Sequence, residues 1–170
     1  VAPGWSSKIC KFKTIECAIM DLADDIAYST YDLEDSFKAG FLTPSRILTS
    51  DPELLERVAR SVSEVISDST FDALAVLGIF TDMFVDRVNE AAFEPLQDSE
   101  AAKEAKLAAA MNVVQQLDAV AESGGLRTEF TSELVGEFVD GVEVDLNEEF
   151  PQLSTVRASE DTSRKIETLK

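Results

Sequence analysis

The chain has 170 residues, of which 33 are Asp or Glu, 15 are Lys or Arg and none is His, giving a net charge of −18. Without histidine, these residues cannot form a Ser-His-Asp or Cys-His catalytic centre, an HExxH zinc site or a finger with two Cys and two His ligands. The negative charge argues against broad nucleic-acid binding, which sets clustered Lys and Arg against phosphates, and against an anionic membrane surface.

Hydrophobic residues make up 45% of the chain, which separates it from a disordered acidic tail. The length suits one domain. Cys10 and Cys17 are the only cysteines. Seven apart on a helix they would lie roughly 10 Å apart along the axis, too far for a disulfide. The expectation is two reduced, structural thiols in a cytoplasmic protein. No apolar run has the length of a membrane span, and no signal peptide is visible. The chain begins at Val1 rather than Met, and we read it as a piece of a longer protein.

The spacing predicts helices nearly throughout. Residues 1–13 form an irregular lead-in. A long helix runs from about Thr14 to Lys38 and stops at Gly40, a suitable C-terminal cap. Thr43-Pro44 opens a short turn or helix. Ser50-Asp51-Pro52-Glu53 has the character of a helix N-terminus, with Ser50 able to cap, and that helix reaches about Ser67. A strongly apolar helix covers Thr70 to Phe93, carrying Leu74, Leu77, Phe80, Phe84 and Val88 at helical spacing, and should pack centrally. After Pro95, Asp98 or Ser99 caps an Ala-rich helix ending near Glu122, and Ser123-Gly124-Gly125 reads as a stop. Leu126 to Val139 is a further amphipathic helix, closed by Gly141. Val142–Leu146 and Leu153–Val156 alternate and could pair as one small β-hairpin near residues 142–157. Ser159 then caps a helix that has barely begun at Lys170, a second sign of truncation. The expected fold is all-α, a multi-helix bundle in a single domain, with the main helical region over 50–140.

The first long helix is the most informative. At about 100° per residue, Ile15, Ile19, Leu22, Ile26, Leu33 and Phe37 fall into one narrow apolar stripe, and Asp21, Asp24, Tyr28, Tyr31, Asp32 and Asp35 occupy the opposite face. Such a carboxylate face is ordinarily a solvated one. Two features go beyond solubility: carboxylates four apart repel when ionised, and Asp is a poorer helix former than Glu. A short, rigid Asp suits holding a cation or a sugar hydroxyl at a fixed distance.

Residues 19–35, Ile-Met-Asp-Leu-Ala-Asp-Asp-Ile-Ala-Tyr-Ser-Thr-Tyr-Asp-Leu-Glu-Asp, continuing to Lys38-Ala39-Gly40, closely resemble a signature of the HD-superfamily deoxynucleoside triphosphate triphosphohydrolases, the dGTPase-like enzymes. In that family a divalent metal such as Mn or Mg is bound by a His, a His-Asp pair and a distant final Asp. The resemblance implies that Asp24 is that final ligand. It also implies that Tyr28 packs at the substrate sugar and phosphates and that Asp32 reads the deoxyribose. The family reaction converts a dNTP and water to deoxynucleoside and tripolyphosphate, and its members form homo-oligomers.

The departures matter equally. The His and His-Asp ligands would lie N-terminal to Val1, many members carry His where this chain has Tyr31, and Lys8, Lys11 and Lys13 cannot be mapped onto the family's phosphate-binding groups. One Asp does not retain a catalytic metal. The expectation is a partial dNTP triphosphohydrolase, inactive by itself, with no tightly bound metal. The competing expectation is a non-catalytic helical interaction or homo-oligomerisation module.

Overall fold

The computed structural model describes residues 14–88, 100–150 and 154–170, with backbone only for 85–88 and 100–110. In chain order the elements are α1 (Ile15–Lys38), α2 (Pro44–Leu48), α3 (Pro52–Ile66), α4 (Ala73–Val88), α5 (Glu100–Glu122), α6 (Gly124–Asp140), β1 (Val142–Asp145), β2 (Thr155–Ala158) and α7 (Glu160–Leu169). The fold is an all-α bundle carrying one two-stranded antiparallel sheet among the described residues.

Polar caps fix most boundaries. Thr14 accepts from the Cys17 amide to open α1, and Gly40, at φ +71°, supplies the left-handed residue after its last turn. Asp51, not Ser50, caps α3: its carboxylate accepts from Glu53 N at 2.8 Å, while the Ser50 hydroxyl donates back to the Arg46 carbonyl. The apolar helix α4 starts at Ala73 rather than Thr70. Asp72 caps it, accepting from Ala75 N at 2.9 Å, whereas Thr70 is held in the preceding turn by Asp68 Oδ1. The expected cap at Asp98 or Ser99, Pro95 and the far end of α4 lie outside the described residues.

Ser123-Gly124-Gly125 does not separate two helices in the manner expected. Ser123 is the N-cap of α6, accepting from Leu126 N, and both glycines lie in its first turn. Glycine costs about 1 kcal/mol in a helix interior, and less matters at an end where the first amides lack helical partners anyway. Burial of Phe130, Leu134 and Phe138 along α6 outweighs that cost.

The core lies where α1, α4 and α6 meet. Phe84 of α4 is 2% exposed, and its ring centroid is 6.1 Å from Phe37 on α1, 5.5 Å from Phe130 on α6 and 6.0 Å from Phe80. The central role expected of α4 therefore holds, through Val76, Ile79, Phe80, Met83 and Phe84. Leu74, expected on the same stripe, is 75% exposed. α3 packs on α4 and α7, and α7 returns to α1. Asp118 on α5 accepts from Ser45 N and Ser45 Oγ (3.2 and 2.8 Å), so it caps α2 from across the bundle.

The hairpin pairs Val142 with Ala158, Glu143 with Arg157, Val144 with Val156 and Asp145 with Thr155. The sheet places Val142, Val144 and Val156 toward one groove, and Glu143 and Arg157 in an ion pair at 2.9 Å on the other side. Among the described residues no helix is long and apolar enough to cross a membrane.

Candidate functional site on α1

α1 is anchored by its apolar stripe. Ile26, Leu33 and Phe37 are buried, Leu22 packs against the core, and Phe37 stacks at an angle on Phe84 and Phe130. Ser29 and Thr30 are also buried. Their hydroxyls donate to the Ile26 carbonyl at 3.0 and 2.8 Å, so no polar atom is stranded there. These contacts fix the rotation of the helix about its axis.

That rotation leaves Asp24, Tyr28 and Asp32 exposed together, Tyr28 by 65% of its surface. Residues four apart on one helix face are roughly 6 Å apart at Cβ, so the three side chains form a row about 12 Å long. Asp25, next in sequence, points away from this row and accepts from Lys170 Nζ on α7 at 2.7 Å. Lys38 is exposed in the last turn of the helix, where a cation also suits the helix dipole.

Two expectations for α1 need correction. Ile19, placed in the buried stripe, is 50% exposed, because the hairpin and α6 stand back from it and leave a groove. Tyr31, placed on the carboxylate face, lines that same apolar groove. The signal was present in the row Ile19-Ala23-Ala27-Tyr31, which is apolar or aromatic at every fourth residue. Cys17 is free and exposed, and Cys10 lies outside the described residues, as do Lys8, Lys11 and Lys13.

A bound transition metal needs three or four converging donors. Asp24 supplies one carboxylate, the chain contains no His, and among the described residues no three Cys, Asp or Glu side chains are grouped to hold an ion. These residues alone do not fit a complete metal centre. What the face can offer is one carboxylate ligand and, beside it, a phenol and a second carboxylate able to contact a hydroxylated ring.

The chain is 40% identical to deoxyguanosinetriphosphate triphosphohydrolase-like protein 2 of Mesorhizobium japonicum, over 94% of its own length and 36% of the relative's. That span leaves too few residues over to exclude α1. It is 30% identical to a deoxyguanosinetriphosphate triphosphohydrolase-like protein of Shewanella oneidensis, over 69% of its own length and 30% of that protein. A third relative so named, from Haemophilus influenzae, is 33% identical over 46% of the chain and 19% of the relative. The chain is thus homologous to a segment of the deoxyguanosinetriphosphate triphosphohydrolase-like proteins, and it spans about a third of the length of the first of them. No protein-family model and no solved structure matches it.

Proposed function

We propose that the chain is a portion of an HD-type deoxynucleoside triphosphate triphosphohydrolase, hydrolysing a dNTP such as dGTP to deoxynucleoside and tripolyphosphate when the rest of the site is supplied. Asp24 contributes one carboxylate to a divalent metal centre whose histidine ligands come from outside these 170 residues. Tyr28 lies against the sugar and phosphates of the nucleotide, and the Asp32 carboxylate accepts from a deoxyribose hydroxyl. A metal in that site would stabilise charge on the phosphates. Self-association into a homo-oligomer belongs to the same reading.

The observation that carries the proposal is the alignment of Asp24, Tyr28 and Asp32 on one exposed face of α1, in a chain homologous along 94% of its length to a protein named for this activity. None of the three is needed to bury the helix, so the stripe on the other side accounts for folding and leaves this face for another role.

Two preparations test it. The 170-residue chain, incubated with Mn²⁺ and dGTP, is expected to release no tripolyphosphate. The same residues joined in one polypeptide to a histidine-bearing HD segment are expected to release it in a metal-dependent manner. There Asp24→Ala should lower turnover on the order of 100-fold or more, and Asp32→Ala should raise KM for the deoxynucleotide. Metal-dependent turnover by the 170-residue chain itself, lost in Asp24→Ala, would contradict the incompleteness of the site. Full activity of Asp24→Ala in the joined polypeptide would remove the role given to that carboxylate.

A further inference from the structure

The hairpin leaves one edge open. β2 packs against α1 and α7, which makes β1 the outer strand. The Ser159 amide donates to the Gly141 carbonyl at 2.8 Å, one pair beyond the Val142–Ala158 register. Bonded pairs alternate in an antiparallel ladder, so Glu143 and Asp145 turn their backbone groups toward β2. Val142 and Val144 therefore turn theirs outward, and among the described residues those groups have no hydrogen-bond partner. A row of free N–H and C=O groups is a template for another strand.

The side chains of β1 divide by face. Val142 and Val144 join Val156 on the wall of an apolar groove of about 430 Å³, shared with Ile19 and Tyr31 of α1 and Val139 of α6. Val144 keeps 54% of its surface exposed. Glu143 and Asp145 stand on the other face, both exposed. Glu143 pairs with Arg157, whereas Asp145 has no ion pair among the described residues.

The edge and the two faces beside it specify an occupant. Its backbone is extended, its residues facing the groove are apolar, and its alternate residues are basic, because they lie across from Glu143 and Asp145. A second copy of β1 does not meet that requirement. Antiparallel pairing that keeps the valines on one face would set Glu143 and Asp145 of one copy against those of the other, and like charges directly opposite are destabilising.

We propose that the outer edge of β1 receives an antiparallel strand from a protein partner, an extended segment in which apolar residues alternate with Lys or Arg. The apolar residues of that segment exchange backbone hydrogen bonds with Val142 and Val144 and close over the groove, and its cations lie beside Glu143 and Asp145. The assignment goes beyond the catalytic reading and uses none of its residues.

The probe is a fluorescently labelled peptide, Lys-Val-Lys-Val-Lys-Val, titrated with the 170-residue chain and read by anisotropy. Saturable binding is expected, at least about tenfold tighter than for Glu-Val-Glu-Val-Glu-Val. A net charge of −18 attracts any cationic peptide, so the block sequence Lys-Lys-Lys-Val-Val-Val is the control. It has the charge without the alternation and should bind several-fold more weakly. N-methylation of the valine amides, which face β1, should abolish binding, and N-methylation of the lysine amides, which face away, should not. Val144→Asp and Asp145→Lys alter exposed side chains, and each should weaken binding several-fold with unchanged far-ultraviolet circular dichroism. Absence of saturable binding overturns the proposal, as does equal binding of the alternating and block peptides or indifference to methylation of the valine amides. Self-association of the chain that Val144→Asp abolishes and the peptide leaves intact assigns the edge to another copy and likewise overturns it.

Discussion

Lys170 Nζ donates to Asp25 Oδ1 at 2.7 Å, closing a contact across 145 residues of chain between the end of α7 and the middle of α1. The same ammonium donates to Glu167 Oε1 at 2.8 Å. The ion pair engages the second Asp of the Ala-Asp-Asp triplet and leaves Asp24, about 100° around the helix, on the outer face.

Burial by itself would lower the Lys170 pKa, but hydrogen bonds to Asp25 and Glu167 outweigh it and the net shift is upward from 10.5. A raised folded-state pKa stabilises the fold below the unfolded value, and that contribution is lost as pH rises above 10.5 through the folded value. Lys170→Met should therefore cost about 0.5–1 kcal/mol near neutrality, the modest figure appropriate to a partly exposed pair. Urea titrations of both proteins should show the gap narrowing in alkali. A gap that stays constant up to the strongest base tolerated would mean that the ion pair is not its source.

Phe84 joins three elements through ring contacts with Phe37, Phe80 and Phe130. Phe84→Ala should cost about 3–5 kcal/mol, a large share of an ordinary domain's stability, and Phe84→Leu less than half of that. Chemical denaturation followed by circular dichroism measures both. Equal losses for Ala and Leu would show that ring geometry, rather than buried volume, decides the site.

Gly40 and Gly141 both end helices, for different reasons. Gly40 has φ +71° with open space around it, so Gly40→Ala should cost about 1–2 kcal/mol from backbone strain alone. A Cβ at Gly141 would collide with the Thr162 hydroxyl and come within 3.0 Å of Thr162 Cβ. Gly141→Ala should cost about 1–3 kcal/mol by overpacking. Thr162→Ala should recover part of that loss in a double-mutant cycle and recover none of the loss at Gly40.

Asp68 is held ionised by hydrogen bonds from Thr70, side chain first and then backbone, with Arg164 adding a lesser contribution at 3.0 Å, so its pKa falls below 3.8. Stability drawn from this depressed carboxylate is present above the unfolded pKa and lost as pH falls through the folded value. Thr70→Val should lower stability above about pH 4, with the gap to the unaltered protein closing as pH falls further, read in urea titrations at each pH and as an acid midpoint moved to higher pH. Unchanged acid midpoints would remove Thr70 from that account.

Asp24, Tyr28 and Asp32 do no structural work that their surroundings reveal. Asp24→Ala, Tyr28→Phe and Asp32→Ala should each shift stability by no more than about 0.5 kcal/mol. Differential scanning calorimetry makes the check. A large loss in any of the three would make that residue structural and weaken its assignment to substrate or metal.

Much of the fold was legible because helix signals are local. Thr14 and Ser159 each act within one turn through a side-chain oxygen and an amide three residues on. The motif face on α1 was legible for a related reason: periodicity of 3.6 fixes which side chains share a side as soon as the helix exists. Less legible were Leu74 and Ile19, apolar at the expected spacing yet exposed. Spacing states which residues line up, but not whether another element arrives to cover them. Tyr31 shows the reverse, a residue grouped by angle with carboxylates that borders valines from two distant elements.

By itself, the sequence determined the helical content, the row Asp24-Tyr28-Asp32 and, through the absence of histidine, that no histidine-liganded site is formed by these residues alone. Those properties follow from residue identity and from geometry repeating over a few residues. The tertiary structure alone decided that Ser123-Gly124-Gly125 starts a helix, that Lys170 closes on Asp25, and that an apolar groove flanks α1. Each depends on segments tens of residues apart meeting at one place, and that meeting is set by how the whole core packs rather than by any stretch of chain read singly.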